Sequence, residues 1–180
     1  MRKHILLLIT LLVTLEVTAQ NNENFYFSNL NLKDGLSQIS VLKIFQDTKG
    51  FIWFGTRNGL NRYDGSEFVI YKHDPKDSLT LSDNHIWSLA EDNDRNLWIG
   101  TARGLNKLDL KTNRIKPFVD ERYGAFAKSE VRCLTVDSRN RLWIGTTKGL
   151  YLYVPAMDVF QRIDCLLYTS PSPRDRTRSR

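Results

Sequence analysis

Cysteine is scarce in this 180-residue chain, which has only Cys133 and Cys165. Two thiols cannot make a disulfide framework. Neither has a histidine partner at metal-ligand spacing, so no metal is expected. A single bridge is chemically open in an oxidising compartment. Cys133, however, falls in an expected inner strand and is read as a buried free thiol. Apolar runs long enough for a membrane are also missing. The one unbroken stretch, Ile5–Val13 apart from Thr10, follows the basic start Met1-Arg2-Lys3-His4 and precedes Val17-Thr18-Ala19. A bilayer needs roughly 20 apolar residues, so residues 1–19 read as a secretory signal peptide with a small-residue cleavage site. No cysteine follows that site, which argues against a lipoprotein. The mature chain is expected to be exported.

Positive charge is thin where it would matter for nucleic acid. The formal net charge is +6. Residues 1–19 carry +1 of it and the last fifteen residues +3, which leaves +2 for the whole middle. The basic pI is a property of the ends, and no nucleic-acid partner is implied. A catalytic constellation is missing as well. Thr56, Thr101 and Thr146 would be nucleophiles only with a base alongside, and none is in register with them. No catalytic residue and no cofactor is assigned, and the chain is not expected to be an enzyme.

What is present is a repeat. Asp47, Trp53, Gly55, Thr56, Gly59 and Leu60 recur as Asp92, Trp98, Gly100, Thr101, Gly104 and Leu105. They recur again as Asp137, Trp143, Gly145, Thr146, Gly149 and Leu150. Each step is 45 residues. A fixed period of this size means stacked copies of one supersecondary unit. In the first copy, Val41–Gln46 alternates as a strand and Asp47-Thr48-Lys49-Gly50 is a turn. Phe51–Thr56 is an apolar strand covered on both faces, Asn58-Gly59 is a hairpin turn, and Leu60–Tyr63 and Phe68–Tyr71 complete four strands. The second copy reads Ile86–Glu91, Leu97–Thr101, Leu105–Asp109 and Ile115–Phe118. The third reads Val131–Val136, Leu142–Thr146, Leu150–Tyr153 and Phe160–Ile163. Four antiparallel strands in about 45 residues is the size of a propeller blade. Frequent Gly, Asn-Gly and Asp-Gly turns count against paired helices.

The fold class is therefore all-β, with about three four-stranded antiparallel blades in an incomplete ring. The expected division is 1–19 signal peptide, 20–38 N-terminal strand and lead-in, 39–83 blade 1, 84–128 blade 2, 129–164 blade 3 and 165–180 tail. The strand in the lead-in is placed around Asn24–Leu30. The tail alternates Ser-Pro with Arg-x-Arg and looks like translated adaptor sequence, disordered and non-native. The recurrent Trp is read as the filler between blades. An aromatic buries roughly 150–250 Å², worth on the order of 4–6 kcal/mol at most. The Gly two residues later leaves room for the next blade. Trp87 stands outside the repeated set. Asp47, Asp92 and Asp137 are read as turn caps that accept backbone N–H bonds. Three blades cannot close a circle, so two blade faces are expected bare and apolar.

The long connections Lys72–Asn84 and Val119–Glu130 share one face with the turns after Trp-x-Gly-Thr. That face carries Asp74, Asn84, His85, Asp120 and Arg122. It also carries the candidate ligand-binding residues Arg57, Asn58, His73, Arg103, Tyr123 and Lys148, which can bond sugar hydroxyls or carboxylates.

Asp-x-x-Gly-x-x-Trp-x-Gly-Thr-x-x-Gly-Leu resembles the two-component regulator propeller repeat. The lead-in, Phe27-Ser28-Asn29-Leu30 through Asp34-Gly35-Leu36-Ser37-Gln38, is similar to the start of Bacteroides-type hybrid two-component sensors. Arg95 and Asn140 stand where that pattern has Gly50. The resemblance implies an exported propeller that senses glycan-derived ligands, at the periplasmic face of the inner membrane. It also implies further blades, a membrane helix and a histidine kinase in the same full-length protein, and a receptor homodimer. The kinase His box, receiver Asp and DNA-binding helix are not in this chain. Two other readings stay open. One is a carbohydrate-active propeller enzyme of the sialidase kind, whose Asp-to-Trp turn is similar. It would need an Arg cluster and a Tyr–Glu pair on the axis. The other is a propeller used only as a protein-binding scaffold.

Overall fold

The computed structural model describes residues 27–119 and 121–163, without the side chains of Glu121, Arg122 and Ala125. The signal peptide 1–19, Phe25, Asp120, Cys165 and the tail 165–180 lie outside the described residues, as does the Arg122 side chain. Twelve strands are described. They are β1 (Val41–Gln46), β2 (Ile52–Thr56), β3 (Gly59–Tyr63), β4 (Phe68–Tyr71), β5 (Ile86–Glu91), β6 (Asn96–Thr101), β7 (Gly104–Asp109), β8 (Arg114–Phe118), β9 (Val131–Val136), β10 (Leu142–Thr146), β11 (Gly149–Val154) and β12 (Val159–Ile163). They form three separate four-stranded antiparallel sheets, each a meander in chain order: β1–β4, β5–β8 and β9–β12. These are blades 1, 2 and 3. Contacts between blades concentrate on the first strands, with β5 against β1 and β9 against β5. The first strands are therefore the inner ones, as in a propeller.

The period-two side-chain alternation puts Trp53 and Gly55 on one face of blade 1. That face packs on blade 2. Trp53 and Leu60 share a core with Ile86, Leu89, Leu97, Ile99 and Leu108. The next seam repeats the arrangement, with Trp98, Leu105 and Phe118 packed on Val131, Leu134, Ile144, Tyr151 and Tyr153. Trp53 is 0% and Trp98 2% exposed. The glycine beside each Trp is the notch that lets the next blade in. A Cβ at Gly55 would lie 2.8 Å from Ile86 Cγ2. At Gly100 it would lie 2.7 Å from Val131 Cγ1 and 2.8 Å from the Val131 carbonyl.

The third copy of this face has no blade on it among the described residues. A Cβ at Gly145 would meet nothing closer than Cys133 Cβ at 3.3 Å. Trp143 is half-buried and Leu150 is exposed. This overturns the expectation for Cys133. It is exposed, because it pairs with Gly145 on β10 and shares that uncovered face. At the other end of the row, Ile44 of blade 1 is also exposed. The lead-in differs from expectation too. Residues 27–30 form no strand, and Phe27 is 97% exposed. A strand needs an edge to pair with, and residues 27–30 pair with none among the described residues.

Two measurements check this packing. Trp98→Ala should cost about 3–5 kcal/mol in a denaturant melt, and Trp143→Ala clearly less. Gly100→Ala should destabilise by roughly 1–3 kcal/mol, whereas Gly145→Ala, on the uncovered face, should fall near the parent. Equal losses at both glycines would refute the notch.

Candidate functional site

Each blade is held in shape by the same bonds. The Trp indole N–H donates to the Asp carboxylate six residues earlier: Trp53 to Asp47 at 2.8 Å, Trp98 to Asp92 at 2.8 Å and Trp143 to Asp137 at 2.9 Å. The other carboxylate oxygen caps the turn. In blade 1 it accepts the backbone N–H of Lys49 and Phe51, in blade 2 of Asp94 and Asn96, and in blade 3 of Arg139 and Arg141. The turn ends on Gly50, Arg95 or Asn140, all at positive φ. The threonines are used locally. Thr56, Thr101 and Thr146 donate to the carbonyls of Gly59, Gly104 and Gly149 at 2.8, 2.8 and 2.9 Å. They also accept the N–H of Asn58, Arg103 and Lys148. The three turns that carry candidate ligand residues are thus fixed in one geometry.

The indole bond to the carboxylate and the Arg141 N–H hold Asp137 well below the ordinary carboxylate range. At the outer end of the second seam, Asp158 accepts from Lys116 Nζ (2.8 Å), Tyr153 (2.9 Å) and Tyr123 (3.2 Å). Burial alone would raise the Asp158 pKa, but the Lys116 and Tyr153 bonds outweigh it and lower the pKa. The Tyr153 phenol is pushed well up by burial and by that same bond.

A cavity of about 490 Å³ opens on the loop face. The β4–β5 connection walls it with His73, Asp74, Asp77 and Thr80, while Arg103 and Lys128 close the other side. Leu81, Pro117 and Val119 supply an apolar floor. The connection is stiff. His73 Nδ1 meets the Leu81 carbonyl at 2.6 Å, and Asp74 and Asp77 cap the N–H groups of Lys76 and Leu79. Arg103 is 79% exposed and lies 3.6 Å from Asp83. A polar rim over an apolar floor, on a rigid scaffold, suits a small polar ligand.

Of the six candidate ligand residues, this cavity unites His73 and Arg103. Arg57, Asn58 and Lys148 sit in the equivalent turns of blades 1 and 3, and Asn58 donates to the Ser37 carbonyl at 3.1 Å. Tyr123 is engaged elsewhere. Its ring packs edge-on to Phe118 and Phe160, and its hydroxyl bonds Asp158. The reading from residue types missed Lys128, Asp77 and the buried clips Asn61 and Asn106. Those two side chains accept the backbone N–H of Ser37 and Ser82, both at 2.8 Å, and so dock the chain entering each blade. The 45-residue period was the available signal: Leu36, Leu81 and Phe126 recur in step and are all buried.

Sheets in a row with one repeated bond set define a segment of β-propeller. More particularly, the family described as the two component regulator propeller matches residues 35–58, 80–103 and 126–148. The chain carries three two-component regulator propeller repeats. Over 70 residues it is 47% identical to histidine kinase P4 of Formosa agariphila, covering 39% of this chain and 5% of that protein. It is similar to the extracellular domain of the one component system BT4673 of B. thetaiotaomicron. That likeness has 30% identity and a TM-score of 0.59, over 73% of this chain and 17% of that one. PorZ, a surface component of the type-IX secretion system of Porphyromonas gingivalis, matches at 16% identity and a TM-score of 0.56, over 69% of this chain and 21% of that one. At that identity the likeness is one of fold alone. The chain spans a small part of each relative's length.

The Asp–Trp bond has a pH signature. A carboxyl with a depressed folded pKa adds stability above its unfolded value of about 3.9. That contribution is lost as pH falls through the folded value. Chemical melts between pH 6 and pH 2 should show stability falling on the acid side, and Asp137→Asn should flatten that limb. An unchanged acid limb in the mutant would count against the bond.

Proposed function

We propose that this chain is the extracytoplasmic, ligand-sensing propeller portion of a two-component hybrid sensor. It responds to glycan-derived ligands and passes the signal to a histidine kinase in the same full-length protein. The observation that carries this reading is the threefold regulator-propeller repeat, joined to 47% identity with a stretch of a histidine kinase. The likeness to an extracellular domain supports an exported, periplasmic position. The loop-face cavity supports a saccharide ligand. Its exposed Arg103 and Lys128, with Asp74, Asp77 and His73, offer donors and acceptors around an apolar floor, as a polyhydroxylated ring requires.

In this reading the segment binds and does not catalyse. The three repeated threonine hydroxyls support that, since each is spent on a carbonyl within its own turn. Ligand binding between the β4–β5 and β8–β9 connections favours one arrangement of neighbouring blades. The effect on the kinase equals the difference in affinity between the two arrangements. A receptor dimer would carry that bias across the membrane.

Purified full-length sensor in vesicles, screened with oligosaccharides of varied linkage, should show at least one that changes autophosphorylation. Arg103→Gln should weaken that response about tenfold or more, the scale of a lost hydrogen bond to a charged group. A kinase indifferent to every saccharide, but responsive to a protein partner, would replace this reading with a scaffold.

A further inference from the structure

Each inner strand begins with a β-bulge. The register breaks between Val41 and Lys43, between Ile86 and Ser88, and between Val131 and Cys133. The residue left out of the ladder is Leu42, Trp87 or Arg132. These three are also 45 apart. The position before the bulge is constant in kind, since Val41, Ile86 and Val131 are all β-branched and the latter two fill the glycine notches, whereas the position after it is Lys43, Ser88 or Cys133. The bulged position changes from apolar to aromatic to cationic. A bulge re-aims one side chain without disturbing the sheet, and bulges gather beside functional sites. The bulge recurs in every blade while the residue it re-aims varies along the inner rim.

At the second seam these residues form a connected group. The Arg132 guanidinium lies 4.0 Å from the centre of the Trp87 ring. His85 stacks on that indole at 4.1 Å. Trp87 Nε1 donates to Glu130 Oε1 at 3.1 Å, and Arg132 donates to Glu130 Oε2 at 2.8 Å. The Gly59 N–H donates to the Asn84 carbonyl at 2.8 Å, which sets the turn that bears Arg57 beside His85, and the charges of Arg57, Arg132, Asp83 and Glu130 all act on that ring.

The charge account of this group does not balance. Both Glu130 oxygens are taken. Asp83 Oδ1 accepts the His85 backbone N–H, and Asp83 Oδ2 faces Arg103. Two carboxylates thus serve three arginines, Arg57, Arg103 and Arg132. Arg132 has further N–H groups beyond the one Glu130 uses, and Arg57 has no partner among the described residues. The surplus is one positive charge, and the buried His85 Nε2 beside it has no hydrogen-bond partner among the described residues. An acceptor with negative charge would complete it, and planar guanidinium groups suit carboxylate and sulfate.

We propose that the inner rim running from the Arg57 turn of blade 1 to the bulge of blade 3 binds an oxyanion, a carboxylate or sulfate group on the ligand. Arg57 and Arg132 are the binding residues. Trp87 and Glu130 are positioning residues that hold the Arg132 plane in place. The inference rests on the ligand-sensing reading only for the saccharide that carries the group. The bland alternative is a clamp in which Arg132, Trp87 and Glu130 merely tie two blades together. A clamp has no use for Arg57.

The test titrates the 180-residue chain with three size-matched probes: an oligogalacturonate, a sulfated galactan oligosaccharide and a neutral cello-oligosaccharide. The Trp87 indole N–H resonance and calorimetry provide the readouts. Either anionic probe should shift that resonance, which also tells carboxylate from sulfate, and the neutral probe should leave it in place. Arg57→Gln and Arg132→Gln should each weaken the anionic probe about tenfold or more. Arg57→Gln should keep the parent's melting temperature, and Lys148→Gln should keep full affinity. Failure of both anionic probes to move Trp87, or unchanged affinity in Arg57→Gln, would overturn the proposal. A neutral probe whose binding depends on Arg103 but not on Arg57 would also overturn it, while leaving the sensing reading intact.

Discussion

The bond from each repeated indole N–H to the Asp carboxylate six residues earlier is the constraint on which the rest of this structure depends. A blade seam needs a large apolar filler, and Trp brings one polar atom with it. Left unpaired in the seam, that N–H would cost about 1–3 kcal/mol. The Asp answers it with one oxygen and folds the β1–β2 turn, or its equivalent, with the other. One side chain therefore couples the turn to the seam. The Trp cannot shift without releasing the turn, and the turn cannot open without exposing a donor. Asp47, which is buried, shows the arrangement most completely.

Because every blade solves this problem identically, the turns facing the loop side are held in equivalent positions. The side chains they display, Arg57, Arg103 and Lys148, are free to differ in use. The same division holds at the inner rim, where Leu42, Trp87 and Arg132 vary inside a constant bulge. The repeat separates what keeps the sheet from what meets a ligand. A propeller can therefore acquire new recognition without a new fold.

Much of this was legible in the residues. The four strands per unit, and most of their limits, follow from alternation and from the Gly and Asn-Gly turns. The differences are one residue at a strand end, as at Asn96 or Arg114. The glycine notch was readable as a missing side chain beside a large one. Other features were not readable, for physical reasons. Periodicity shows which residues share a face but not whether anything covers it, so Cys133 was placed in a core that its bare blade does not supply. Asn61 and Asn106 look like ordinary polar residues in a half-buried strand, and only the tertiary contact makes them clips for the incoming chain. Tyr123 sits in a polar connection, yet its ring is drawn into the Phe118–Phe160 cluster because burial of an aromatic outweighs local sequence character. A bulge leaves no trace in the pattern beyond one residue out of phase, which is why Trp87 stood apart.

The filling of each glycine notch has a temporal side. The side chain that occupies the space at Gly55 belongs to Ile86, and the one at Gly100 belongs to Val131. In each case the plug lies 31 residues further along the chain. A polypeptide delivered from its N-terminus can complete a blade's own meander early, since all four strands are consecutive. Its large aromatic then stays unroofed until the opening strand of the following unit arrives. Assembly of the row is thus directional, each sheet being sealed by its successor.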